Sequence, residues 1–271
     1  MSASTPAHLL AELVAQDGTR PRLTWYDDAD GPTRGERIEL SARVLATWTA
    51  KAANLLVDDL GVERGDVVAL DLPAHWRTTY WALAVWRVGA VVSLGDDPAA
   101  AVRVTATPTA PTGLAGTTAA QQVAVSLPAL ARRWTPTDRG PADLPAGVVD
   151  EAADLASHPD VFVPYDEPEP DDPALRHAGG EWAAGGLVDA ARGLATERGW
   201  PPGARVAVTA QDVDDVLLAL LAAWSTGGSA VLVRPSSDAA TIPEPVALQA
   251  RWDAERVTSA YGPPGRPASR P

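Results

Sequence analysis

Apolar and polar residues alternate along this chain with two periods, one helical and one extended. Thr5-Pro6 reads as an N-cap followed by proline at the first helical position. Leu9, Leu10, Leu13 and Val14 then share one helix face, which ends at Asp17-Gly18. Residues 22–26 alternate as a strand, Asp30-Gly31-Pro32 turns, and residues 37–40 return, which predicts a hairpin. Ser41 caps a helix to about Asp59, with Val44, Leu45, Trp48, Ala52, Leu55 and Leu56 as its apolar stripe and Gly61 as its stop. Residues 66–72 form a buried strand. Residues 75–88 form an apolar helix carrying Trp76, Trp81 and Trp86, and residues 89–94 form a second strand.

The middle is less regular. Residues 102–105 and 123–125 read as strands, 127–134 as a short helix, 135–147 as a Pro/Gly-rich loop and 148–157 as a helix. Residues 165–173 are acidic and hold three prolines, which marks a linker. A helix over 185–198, a strand over 205–209, a helix over 213–225 and a strand over 229–233 follow. A last helix spans 247–255, and a proline-rich tail extends to Pro271.

The two halves repeat each other at a fixed offset of 138 residues. Ala52, Ala53 and Leu56 match Ala190, Ala191 and Leu194. Gly61 and Gly65 match Gly199 and Gly203, and Val68 and Ala69 match Val206 and Ala207. Leu83, Ala84, Trp86 and Gly89 match Leu221, Ala222, Trp224 and Gly227. Eleven identities over 38 ungapped positions include three glycines and a tryptophan in register. Alanine matches are cheap at this composition; the glycine and tryptophan matches are not. Each copy describes a β-α-β unit, which requires parallel strands and a right-handed crossover. The expected fold class is α/β: two pseudo-repeated βαβ units forming mostly parallel sheets with flanking helices. The expected organisation is a first half over 1–165, an acidic linker over 166–173, a second half over 174–260 and a disordered tail over 261–271.

Composition narrows the functional classes. The 271 residues are 46% hydrophobic, enough for a packed core. The chain has no cysteine, so disulfides, thiol nucleophiles and thiolate metal sites are excluded together. That fits a reducing compartment, and with no basic leader the expected location is cytoplasmic. A net charge of −13 repels phosphate backbones, so nucleic acid is not an expected partner. Val216 to Val233 lacks charge, but its Ser-Thr-Gly-Gly-Ser turn divides it into a helix and a strand rather than a membrane span. Lys51 is the only lysine among 22 basic residues, and arginine usage this heavy fits a GC-rich bacterial genome.

From Leu40 to Asp96 the chain resembles the N-terminal subdomain of the AMP-binding, adenylate-forming acyl-CoA synthetases. The residues that carry the resemblance are Leu60-Gly61-Val62, Gly65-Asp66, the strand end Leu72-Pro73 and Gly89-Ala90-Val91. In the second half, residues 171–175 resemble the family's lead-in to its phosphate loop, and residues 205–233 the strand-helix-strand after it. The family is itself built on two pseudo-symmetric α/β halves, so the duplication agrees with the resemblance.

The catalytic residues of that family do not carry over. Its phosphate loop reads approximately Thr-Ser-Gly-Thr-Thr-Gly-x-Pro-Lys, a nest of donors for ATP phosphates. The matching stretch here is residues 176–182, Arg-His-Ala-Gly-Gly-Glu-Trp, with no hydroxyl, no lysine, and Glu181 where phosphates would lie. Gly116-Thr117-Thr118 lacks the flanking residues of such a loop. The resemblance implies a catalytic lysine in a C-terminal lid beyond these residues, while Lys51 is expected on the exposed side of an early helix. Tyr261-Gly262 echoes a family motif for adenine and magnesium, but no Thr-Glu follows. Residues 255–258 read instead as an early strand of the family.

No catalytic residue is therefore assigned, and no cofactor or metal is expected. The histidines His8, His75, His158 and His177 show no metal-ligand spacing. His177 with Gly179 and Gly180 is the ligand-contact candidate, because glycines permit close backbone approach. Trp81, Trp86 and Trp224 are expected in the core. The reading that follows is a non-catalytic synthetase-like protein with a binding or regulatory role, its partner a small molecule (nucleotide or acyl group) or a protein, with neither nucleic acid nor membrane involved. One alternative is an acyl-adenylating subunit whose partner supplies the lysine and phosphate contacts. The other is a protein-interaction module with no small-molecule site.

Overall fold

A computed structural model describes residues 4–109, 121–136, 143–177, 179–209, 212–236 and 245–262. The elements follow in chain order: α1 (Pro6–Asp17), β1 (Pro21–Asp27), β2 (Arg37–Ser41), α2 (Ala42–Asn54), β3 (Val67–Asp71), α3 (Trp76–Val88), β4 (Val91–Leu94), β5 (Val102–Thr105), β6 (Gln121–Ala124), β7 (Val149–Asp150) and α4 (Glu151–Asp154). Then come β8 (Pro173–His177), β9 (Gly180–Ala183), α5 (Ala184–Glu197), β10 (Arg205–Val208), α6 (Val213–Ser225), β11 (Ser229–Arg234), α7 (Pro245–Ala254) and β12 (Ser259–Tyr261). The protein is α/β, with two mixed, mostly parallel sheets flanked by helices.

One sheet runs β12-β10-β11-β1-β2 and the other β7-β6-β5-β3-β4-β8-β9. Each belongs to its own compact unit. The first unit gathers residues 1–45, 73–76 and 186–271; the second gathers 46–72 and 77–185. The cut at 166–173 follows the repeat, whereas the compact units follow the sheets. The two divisions differ because the hairpins are exchanged. The hairpin β1–β2 precedes the first copy in sequence yet pairs with β11 of the second, and β8–β9 precedes the second copy yet pairs with β4 of the first.

The repeat is reproduced in the strand register. β3 and β4 pair in parallel with Val67 opposite Val91; 138 residues on, β10 and β11 pair with Arg205 opposite Ser229. The Val91 N–H donates to the Asp66 carbonyl, and the Ser229 N–H to that of Ala204. A π-helical turn, Leu55–Asp59, continues α2, and Gly61 after it and Gly199 after α5 stand at φ 65° and 64°, a left-handed conformation that a side chain disfavours. Both hairpins carry a bulge at the same place, after Pro21 and after Pro173. Each bulge frees one carbonyl from the ladder, and each repeat supplies a tryptophan to satisfy it. Trp86 Nε1 donates to the Ala174 carbonyl at 2.7 Å, and Trp224 Nε1 to that of Arg22 at 2.9 Å. Both indoles are buried. This is why the tryptophan recurs in register: the indole locks the other copy's hairpin onto the sheet edge.

Local signals explain most elements. Thr5 caps α1 through the His8 N–H, and Ser41 caps α2 through the Val44 N–H at 3.3 Å. β3, β4 and β11 are buried on both faces, as parallel strands between helices must be. Val216 to Val233 divides into α6 and β11, and no helix among the described residues is long and apolar enough to cross a membrane.

Several expectations fail. Residues 127–134 form no helix: Leu130 is exposed rather than packed on an apolar face, and the Trp134 N–H is taken by the Asp150 carboxylate at 2.8 Å instead of a carbonyl one turn back. The helix expected over 148–157 shrinks to α4 and a 3-10 turn at Leu155–Ser157, because Val149–Asp150 pairs with β6 and Asp150 then caps α4. Residues 255–258 are no strand. Glu255 ends a helical turn, Arg256 adopts φ 55°, and the strand begins at Ser259. Gly116-Thr117-Thr118 and the tail beyond Gly262 lie outside the described residues.

Candidate functional site

The stretch aligned with a phosphate loop forms the tip of the β8–β9 hairpin. His177 faces Gly180 and Arg176 faces Glu181 across it. Arg176 Nε donates to Glu181 Oε2 at 2.7 Å, a half-exposed cross-strand ion pair. The His177 ring stacks on Trp182 with centroids 6.2 Å apart, and its Nδ1 accepts the Gly179 N–H at 3.2 Å. A Cβ at Gly179 would stand 2.7 Å from His177 Cε1, so a side chain there would make the ring shift, and Gly180, at φ 133°, holds the backbone conformation that favours glycine. The three candidates His177, Gly179 and Gly180 are thus brought together. Their chemistry is turned inward: the Gly179 N–H is committed to the ring, and Arg176 is committed to Glu181.

The first unit holds a charged hub that the sequence reading missed. Glu255, at the end of α7, accepts from Tyr26 Oη at 2.5 Å, from Arg37 Nε at 3.0 Å and from Arg205 Nη2. Burial pushes the Glu255 carboxyl up, but these hydrogen bonds outweigh it and hold the group below the ordinary glutamate value. Burial and the Glu255 carboxylate push the Tyr26 hydroxyl up. Arg251 lies 4.5 Å over the Tyr26 ring and grips Asp28 with two bonds, at 2.7 and 2.9 Å. The hub ties the end of α7 to β1, β2 and β10. Its members lie up to 229 residues apart, so no spacing in the sequence announces it.

Tyr261 ends β12. Its hydroxyl donates to Asp215 Oδ1 at 3.1 Å, and burial followed by the nearby Asp215 charge pushes it up to about 12.

The second unit contains a buried ionic cluster. Arg77 Nη1 donates to Glu151 Oε1 at 3.0 Å and Nη2 to the Pro128 carbonyl at 3.2 Å, and Tyr80 Oη donates to the same carboxylate. Trp48 stacks on Tyr80 at 6.0 Å. Burial pushes Glu151 up against the pull of Arg77, and burial with the Glu151 charge drives Tyr80 well above its ordinary value. The cluster pins α3 to α4.

Lys51 is not the solvated charge expected. Its side chain is 13% exposed, and Nζ donates to the Ala156 and His158 carbonyls at 3.0 and 2.5 Å and pairs with Asp160 at 2.8 Å. His158 sits in the same loop, 3.3 Å from Asp59. Among the described residues no group of three His, Asp or Glu side chains is placed to hold a metal ion.

Fold and site together define an α/β protein built twice from one motif, its hairpins exchanged and the tip of β8–β9 closed by an ion pair. No family model matches the chain. It is 37% identical over 256 residues to a TIGR03089 family protein of Mycobacterium tuberculosis, an alignment covering 92% of this chain and 95% of that protein. The chain belongs to the TIGR03089 family.

Proposed function

We propose that this protein is a non-catalytic relative of the adenylate-forming synthetases that acts by binding. The kinship is supported by the two βαβ copies with matching registers, the organisation expected of that family's N-terminal subdomains. One observation carries the non-catalytic reading: the Arg176–Glu181 pair across the hairpin tip. A triphosphate there would need donors and cations around it. The site offers a carboxylate, and the adjacent guanidinium is already engaged by it. Adenylation also requires charge stabilisation at the α-phosphate, and neither Lys51 nor Arg77 is free to provide it, since both are bound within the second unit.

Thermal denaturation of the purified chain with ATP, AMP and an acyl-CoA tests the reading. AMP or acyl-CoA is expected to raise Tm and ATP to leave it unchanged. A ligand at a hundredfold excess over Kd stabilises by about 2.7 kcal/mol, which a melting curve resolves. Flat curves with all three would remove the small-molecule form of the proposal.

A further inference from the structure

Between α4 and β8 the chain runs for about 15 residues without regular structure, yet it is held from behind. Lys51 takes the Ala156 and His158 carbonyls, Asn54 Nδ2 takes those of Pro159 and Val161 at 3.0 and 3.1 Å, and Arg64 grips Asp172 with two bonds at 2.7 and 2.9 Å. Between these anchors, Val161, Val163 and Tyr165 are 71%, 77% and 98% exposed, while Phe162 is half-buried and Pro164 buried. Alternate residues facing outward is the pattern of an extended chain with one free face. Three of the six large exposed hydrophobics among the described residues fall within these five positions. Among the described residues, nothing accepts from the N–H groups of Val161, Phe162, Val163 or Tyr165. A solvated linker has no need of valine and tyrosine held outward on a fixed ribbon.

The C-terminal flank identifies the occupant. Asp166, Glu167 and Asp171 are exposed and have no basic partner among the described residues. A second copy would bring the same carboxylates, on a chain of net charge −13, against them. We propose that residues 160–167 are a docking ribbon for an extended segment of another protein, with apolar side chains at alternate positions and arginine or lysine where it meets Asp166 and Glu167. The partner's backbone pairs with these outward N–H groups and its apolar side chains cover Val161, Val163 and Tyr165. The ribbon is already ordered, so little conformational freedom is lost on its side when it binds. The inference rests on this segment alone and stands or falls separately from the synthetase kinship.

The test is fluorescence anisotropy of the full chain with a labelled peptide, Arg-Arg-Thr-Val-Thr-Ile-Thr-Val-Arg-Arg, against the same peptide with glutamate for every arginine. The arginine peptide is expected to bind and the glutamate peptide not to. Val161→Ser/Val163→Ser/Tyr165→Ser is expected to weaken binding at least about tenfold with Tm unchanged, since all three side chains are exposed. Asp166→Asn/Glu167→Gln provides an independent variant, weakening binding about threefold at low salt and less at high salt. Amide exchange of residues 161–165 is expected to slow in the bound state. Failure of the arginine peptide to bind, or equal binding by the triple variant, would overturn the proposal. So would concentration-dependent self-association that the triple variant abolishes, because the occupant would then be a second copy.

Discussion

Trp81, Trp86 and Trp224 are all buried on helices, but only the last two have an acceptor. Trp86 donates to the Ala174 carbonyl and Trp224 to the Arg22 carbonyl, whereas Trp81 Nε1 is buried with no partner among the described residues. Replacing each with phenylalanine removes a similar volume, so the packing losses largely cancel in a comparison. Trp86→Phe and Trp224→Phe also leave a buried carbonyl unsatisfied, at about 1–3 kcal/mol. Trp81→Phe instead removes a buried donor that had no acceptor, a gain of the same order. The first two substitutions are therefore expected to cost about 2–6 kcal/mol more than the third, and to cost the same as each other within about 1 kcal/mol. Urea denaturation followed by circular dichroism gives the three values, and each kcal/mol also moves Tm by about 2–4 °C. If Trp81→Phe proved as costly as Trp86→Phe, the locking of each exchanged hairpin by an indole would be wrong.

Other outcomes follow from the same contacts. Arg77→Met leaves Glu151 buried without its cation and is expected to cost about 3–5 kcal/mol, while Arg77→Met/Glu151→Leu costs less than Arg77→Met alone; additive losses in a urea double-mutant cycle would contradict this. Lys51→Met is expected to speed amide exchange across residues 156–161 about tenfold while leaving the sheets protected, measured by hydrogen exchange with mass spectrometry. The folded pKa of Glu255 lies below its unfolded value, so the stability it confers is complete above the ordinary glutamate pKa of about 4.3 and is lost as pH falls through the lower folded value. Glu255→Gln should flatten that acid limb in a pH series of thermal melts, and an unchanged limb would show that the hub carries no linkage.

Much of the fold was legible because its signals are local. The glycine stops at Gly61 and Gly199, the caps at Thr5 and Ser41 and the valine-rich strands each act within a few residues, and the 138-residue offset connects them. The hairpin exchange was not legible. Period-two alternation predicts the strands over 22–26 and 37–40 but not which edge they join, since β4 and β11 offer edges of equal character. Lys51 was misread because its helix face looks polar; its burial comes from a loop about 105 residues later that folds back onto it. The hub around Glu255 was hidden for the same reason. At the candidate site the sequence showed the missing donors around Glu181, but the pairing with Arg176 needs the two-residue hairpin register to become visible.

ATP–pyrophosphate exchange on the purified chain, run across a panel of carboxylic acids with magnesium present, bears most directly on the proposed role. With Glu181 and Arg176 occupying one another at the hairpin tip, exchange is expected to stay at background for every acid. Carboxylic-acid-dependent exchange above that background, lost when the chain is heat-denatured, would contradict it.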